Sequence, residues 1–363
     1  MVRDIQLDAY RALSMIYIVC VIHVLYWLNI GSDTIKSISL IEMPVIFFIA
    51  GGAASCTVNR QKTFKEIVIS RFNRVIAPFY VYAFVSVALI ATVSFIPVLD
   101  KLGYNILRYN FSSIVSILLC LDIPQVPNTS HLWFIVPYFV ISISTSLQWK
   151  AIKQIKPVYY ILINIIVYIL FLYLRILCGG TANHDVKDPM NILQMILGYN
   201  IFYIMGLSFY KRVPKKYIPF IIPVMFLVYW WGGNMDYTNM QGHKFPPDLV
   251  FISYNLFVLS FLFLIFSYIK IPYNNLLKIW NNRGYTIYLY QNYIFYVVSI
   301  IAYKLGIDIK SGILEFIVFS TIIFSLSIVV SYLTVPMENM IIQQTKNMFV
   351  YISNKYQKIS SKV

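Results

Sequence analysis

Apolar stretches of about 20 residues recur from one end of this sequence to the other, each with the length an α-helix needs to cross a hydrocarbon layer roughly 30 Å thick. No other feature constrains the fold as tightly, because a backbone inside hydrocarbon must satisfy its own hydrogen bonds, and a helix does so within one segment. Composition agrees. Of 363 residues, 59% are hydrophobic and 12% charged, with a mean hydropathy of +0.71, against roughly 45–50% apolar and about 25% charged in soluble domains. The expected fold is all-α: a polytopic membrane protein of about ten transmembrane helices, at 12–31, 38–57, 76–99, 132–149, 157–178, 190–210, 217–233, 249–269, 284–303 and 311–335. One transmembrane domain covers 1–345, followed by a basic cytoplasmic tail at 346–363. Between the third and fourth spans, residues 106–121 are too short and polar for a crossing and read as an interfacial or re-entrant helix.

With the N-terminus inside, 21 of the 29 Lys and Arg residues fall in cytoplasmic segments, as the positive-inside bias requires. An even helix count then puts both termini in the cytoplasm. The net charge of +15 is dispersed among short loops and forms no single stripe, which argues against nucleic acid as a partner. Cys20, Cys56, Cys120 and Cys178 lie in or beside apolar segments without CxxC or metal-ligand spacing and read as inert packing residues. The first apolar run has the length of a full span and ends in no small-residue cleavage site, so it reads as a retained helix. Trp27, Trp149, Trp230, Trp231 and Trp280 fall near predicted span ends, as interfacial belts do.

An ionisable side chain near the middle of a bilayer costs about 2.5 to 3.5 kcal/mol by insertion scales, so each one needs a partner or a function. Arg11 lies at the cytoplasmic mouth of the first span, and His23 follows roughly 18 Å further along at about 1.5 Å per residue. Glu42, near the start of the returning second span, falls within roughly 3 Å of the same depth. The pairing predicts a His23–Glu42 dyad, in which the carboxylate orients an imidazole acting as general base on a hydroxyl; a structurally satisfied histidine is the competing reading. Arg71 and Arg74, before the third span, serve either as positive-inside anchors or as a clamp for the phosphates of a donor. His131, His184 and His243 fall in or beside outer loops, specify no metal site and read as solvated.

These segments resemble the acyltransferase-3 family of bacterial integral membrane acyltransferases. LDAYRALSMIYIVCVIHV resembles the family's first-helix signature, with Asp8 and Arg11 followed by His23. EMPVIFFIAG is similar to its F-F-x-S-G element, with Ala50 in the place of the Ser. RFNRVIAPFY resembles the R-x-x-R segment, HLWFIVPYF with Trp133 the LWF element, and NNRGYTIYLYQN with Tyr288 a late S-Y-x-I-Y-L-x-H motif. The similarity covers roughly residues 4–335. It implies a ten-helix enzyme that uses cytoplasmic acyl-CoA to acylate a glycan or lipid-linked sugar, with Arg11 assisting the donor and His23 catalytic. Two departures stand out. Eleven residues separate Arg11 from His23 where the family has about ten, a shift of roughly 100° in facing that a π-bulge would restore. Gln291 replaces the late His, so a role requiring a proton there is lost.

The expected function is O-acyl transfer, acetyl being the simplest group, from acetyl-CoA or another acyl-CoA to a surface glycan or lipid-linked sugar. No tightly bound cofactor or metal is expected, and the location is the bacterial inner membrane. Arg11, Arg71 and Arg74 would hold the donor, with Asp8, Trp133 and Tyr288 as further site candidates. The alternatives are an amino-sugar N-acetyltransferase, on the strength of KFPPDLVF, and a glycan-precursor transporter or flippase.

Overall fold

The computed structural model describes residues 4–58, 63–95, 108–178, 185, 187–210, 212–213, 215–307 and 312–360. These residues form helices, with no strand among them and one isolated bridge between Lys244 and Pro247. In chain order the helices are α1 (Ile5–Trp27), α2 (Asp33–Ser55), α3 (Phe64–Ser94), the short α4 (Phe111–Leu118) and α5 (His131–Ile143 and Thr145–Gln154, bent by 50°). There follow α6 (Pro157–Leu177), α7 (Pro189–Phe209), α8 (Ile218–Gly233), α9 (Met240–Lys244), α10 (Leu249–Tyr268), α11 (Asn275–Lys304) and α12 (Ile313–Ser360). Their starts are written in the sequence. Asp4, Asp188, Asp248 and Asn274 each accept a hydrogen bond from a first-turn amide, and Pro157 and Pro189 open helices where a missing N–H costs nothing.

Each of the ten predicted apolar segments is mainly helical over its described residues, with 96–99 and 311 lying outside them. Among the described residues seven helices, α1, α2, α3, α6, α7, α10 and α12, are long and apolar enough to cross a membrane, or eight if the bent α5 is one span. The remaining two differ from expectation for identifiable reasons. Helix α8 has 16 residues, and α11 has 30 but carries Asn281, Asn282, Arg283, Gln291 and Asn292 along its length. Helix α12 runs without a break past the predicted domain edge at 345, as far as Ser360. Large apolar side chains such as Phe84, Leu170, Ile176 and Trp231 are exposed around the outside, the surface a bilayer covers.

Helices α1, α2 and α7 form the buried centre. The crossing of α2 and α7 depends on Gly51 and Gly206: a Cβ on Gly51 would overlap the carbonyl oxygen of Tyr203, and one on Gly206 that of Phe48. Two backbones approach this closely in a membrane only through such small residues. Within α1, residues Ile18–Ile22 form a π turn, closed by the His23 amide donating to the Ile18 carbonyl five residues back. Ser320 of α12 donates to the Cys20 carbonyl in this turn (2.7 Å). A second π turn, Phe72–Ile76, contains Arg74.

Candidate active site

The π turn decides where His23 faces. Twelve steps of 100° along a plain α-helix would leave Arg11 and His23 about 120° apart, whereas eleven would leave them about 20° apart. The turn absorbs one residue and so returns His23 to the facing that the shorter spacing would give. There it lines a cavity of 560 Å³ with Tyr26, Trp27, Glu42, His131, Trp133 and Tyr288, among others. The indole of Trp27 lies flat on the His23 ring, with centroids 4.2 Å apart and planes inclined by 4°. Trp27 thus packs against the site, contrary to its reading as a belt residue. Trp280 departs from that reading too, being fully buried and stacked on Phe324.

The predicted His23–Glu42 dyad does not form, although both residues line the cavity. His23 Nδ1 lies 2.7 Å from Gln291 Oε1. The Gln291 amide nitrogen in turn donates to the Tyr288 carbonyl (2.9 Å), which can only accept. The amide orientation is therefore fixed, with its oxygen towards His23. Nδ1 carries the proton and Nε2 keeps its lone pair, making no hydrogen bond among the described residues. Gln291 does the orienting that was expected of Glu42. It needs no titratable proton, only an accepting oxygen.

Glu42 is drawn elsewhere by charge. Its Oε1 pairs with Lys244 Nζ, both side chains being buried, and its Oε2 has no partner among the described residues. Lys244 comes from α9, 202 residues away in sequence, and is not the loop cation that the charge distribution implied. His131 is likewise buried, where solvent exposure was expected. Its Nδ1 sits 2.6 Å from the Asn128 carbonyl and its Nε2 3.1 Å from that of Tyr288, while the Tyr288 hydroxyl donates back to the His131 carbonyl (2.6 Å). Both ring nitrogens face backbone acceptors. His131 is thus a brace between α5 and α11, and His23 is the histidine with an open nitrogen. His243 lies between Asp248 (2.6 Å) and Asp236 (3.6 Å), and donors from Thr238 hold the Asp236 carboxyl below its ordinary range. His184 lies outside the described residues.

Trp133 and Tyr288 line the cavity as predicted site candidates, Trp133 packing between the rings of Tyr199 and Phe245. The cationic candidates are placed apart from it. Arg11 bonds to Asp8 (3.5 Å) and to Asn281 on α11 (3.3 Å). One turn further along α11, the Tyr285 hydroxyl donates to the Val75 carbonyl, next to Arg74. Arg11 and Arg74 therefore flank the same stretch of α11, towards its N-terminal end, and Arg71 precedes Arg74 on the same helix. Among the described residues no cluster of His, Cys, Asp and Glu could hold a metal ion.

A bundle of membrane-length helices enclosing a polar cavity around His23 defines a class: a multi-pass membrane protein with a site inside its bundle. The sequence model of the acyltransferase domain family matches residues 4–335, nearly the whole chain, and the protein belongs to this acyltransferase-3 family. It is an acyltransferase acting on groups other than aminoacyl groups. No curated protein and no solved structure matches it. Sequence reasoning missed Lys244 and His131, although each stood beside a motif in KFPPD and HLWF; Tyr26, three residues from His23, was missed too.

Proposed function

We propose that the protein is a membrane O-acyltransferase, transferring acetyl in the simplest case from acetyl-CoA or another acyl-CoA to a hydroxyl of a surface glycan or lipid-linked sugar. The donor's phosphates lie at the Arg11, Arg71 and Arg74 end, and the acceptor hydroxyl enters the His23 cavity. In the orientation given by the positive-inside bias, donor and acceptor come from opposite faces of a bacterial inner membrane. The observation that carries this reading is the open Nε2 of His23 within a cavity walled by aromatic rings, which suit the apolar faces of a sugar. Nε2 takes the hydroxyl proton as the oxygen attacks the thioester carbonyl. The tetrahedral oxyanion is met by the Lys244 ammonium, which lines the same cavity. Collapse breaks the carbon–sulfur bond, and the departing thiolate recovers the proton from the His23 imidazolium.

The test is transfer of radiolabel from acetyl-CoA to surface glycan in membranes carrying the wild type or His23→Ala, with insertion of both verified. Loss of roughly 10²- to 10⁴-fold in the variant is expected, the usual contribution of a general base. Undiminished labelling would remove His23 from the reaction, and absence of label with the wild type would reject the acyl donor.

A further inference from the structure

A second and larger cavity, of 980 Å³, runs between α1, α2 and α10. Leu13, Val21, Val45, Phe48, Leu262 and Phe263 form much of its wall. The polar atoms along it are already used within the protein. Tyr10 donates to the Phe266 carbonyl, Ser14 to that of Tyr10, Tyr17 to that of Ser39, and Ser267 to that of Phe263. Gln6 exchanges both its bonds with the backbone of Ile271, and Tyr210 donates to Asp4. Lys270 lies at one end, and the buried Glu42, paired with Lys244, lies at the other, where it also lines the His23 cavity.

Along α1 the groove follows Gln6 to Val21, about 22 Å at 1.5 Å per residue. That exceeds half of the roughly 30 Å hydrocarbon thickness. No arginine lines it, and Arg11 turns instead towards α11, so the groove does not have the chemistry to clamp a donor's phosphates. We propose that it holds the hydrocarbon chain of the acceptor: a glycolipid whose sugar occupies the His23 cavity and whose tail passes Glu42, where the two cavities share a wall, and descends between α1, α2 and α10. This rests on the acyl-transfer reading for what happens to the sugar, and on the groove alone for the tail.

Binding is tested without turnover. The purified protein, in nanodiscs of phosphatidylcholine, is photolabelled with a hexadecyl glucoside carrying a diazirine at its chain end, and the labelled peptides are mapped. Label is expected on α1, α2 and α10, removable by excess unlabelled hexadecyl glucoside. Val45→Trp and Leu262→Trp, two part-exposed positions that narrow the groove from different helices, should each lower it at least fivefold. Leu170→Trp, on the exposed face of α6, should not. Label spread equally over α6, or indifferent to both groove variants, would mean that ordinary bilayer lipid fills the groove and would overturn the assignment. Acyl transfer to a free oligosaccharide with no groove labelling would sink this inference alone; groove labelling with no transfer from any acyl-CoA would sink the enzymatic reading and leave the groove assignment intact.

Discussion

Gln291 satisfies both ends of its amide in one arrangement, and that arrangement dictates the tautomer of His23. Replacing it with Leu keeps the bulk and removes the acceptor, so the imidazole is free to turn or to place its proton on Nε2. We expect kcat to fall by about 10- to 100-fold, the range seen when the partner orienting a ligating imidazole is lost, with KM unchanged because no acceptor contact is removed. Gln291→His should restore much of the rate, since a neutral imidazole also offers one accepting and one donating nitrogen. Equal loss in both variants, with proper insertion, would mean that the site needs only the packing of Gln291. At this scale the sequence was informative about His23, which stands alone in an apolar span, and misleading about Glu42. Depth matching put Glu42 on the wall of the same cavity as His23, but the carboxylate pairs with the ammonium of Lys244, and nothing local announces that Lys244 folds back to meet it.

The element that gives His23 its facing is the π turn Ile18–Ile22. Its extra residue leaves backbone groups outside the regular ladder, and Ser320 meets the Cys20 carbonyl, which keeps the turn from being an orphaned defect. Deleting Cys20 should convert it to plain α-helix with eleven steps from Arg11 to His23, which leaves His23 at the facing it already has, about 20° from Arg11. The span stays apolar and inserts, so labelling of glycan should persist while the amount of protein in the membrane holds; lost activity would show that the site needs the turn itself, with its Ser320 contact, and not only the facing of His23. Hydropathy located the helices well because each apolar run is its own signal. It was least informative where function intrudes: α11 dilutes its apolar run with the polar residues that reach His23 and Arg11, and α5 bends within its predicted span. The π turn itself was legible only as one residue too many between Arg11 and His23.

Across the whole molecule, the Glu42–Lys244 pair ties the central bundle to α9, in the connection between α8 and α10 that covers the His23 cavity. Its energetics are asymmetric. Two charges taken out of water together cost about as much as they return, but removing one strands the other. Glu42→Gln and Lys244→Met should therefore each destabilise the protein by about 3 to 5 kcal/mol, visible as a lowered thermal midpoint in a single detergent. The double variant should fall by less than the sum, because neither buried charge is then left uncompensated. Activity separates structure from chemistry. If Lys244 also steadies the oxyanion, the double variant regains stability without regaining kcat, while a pair that only closes the cavity would let kcat return together with the fold. Strict additivity of the two losses in stability would mean that the pair is not coupled, and that α9 is held over the cavity by its apolar contacts alone.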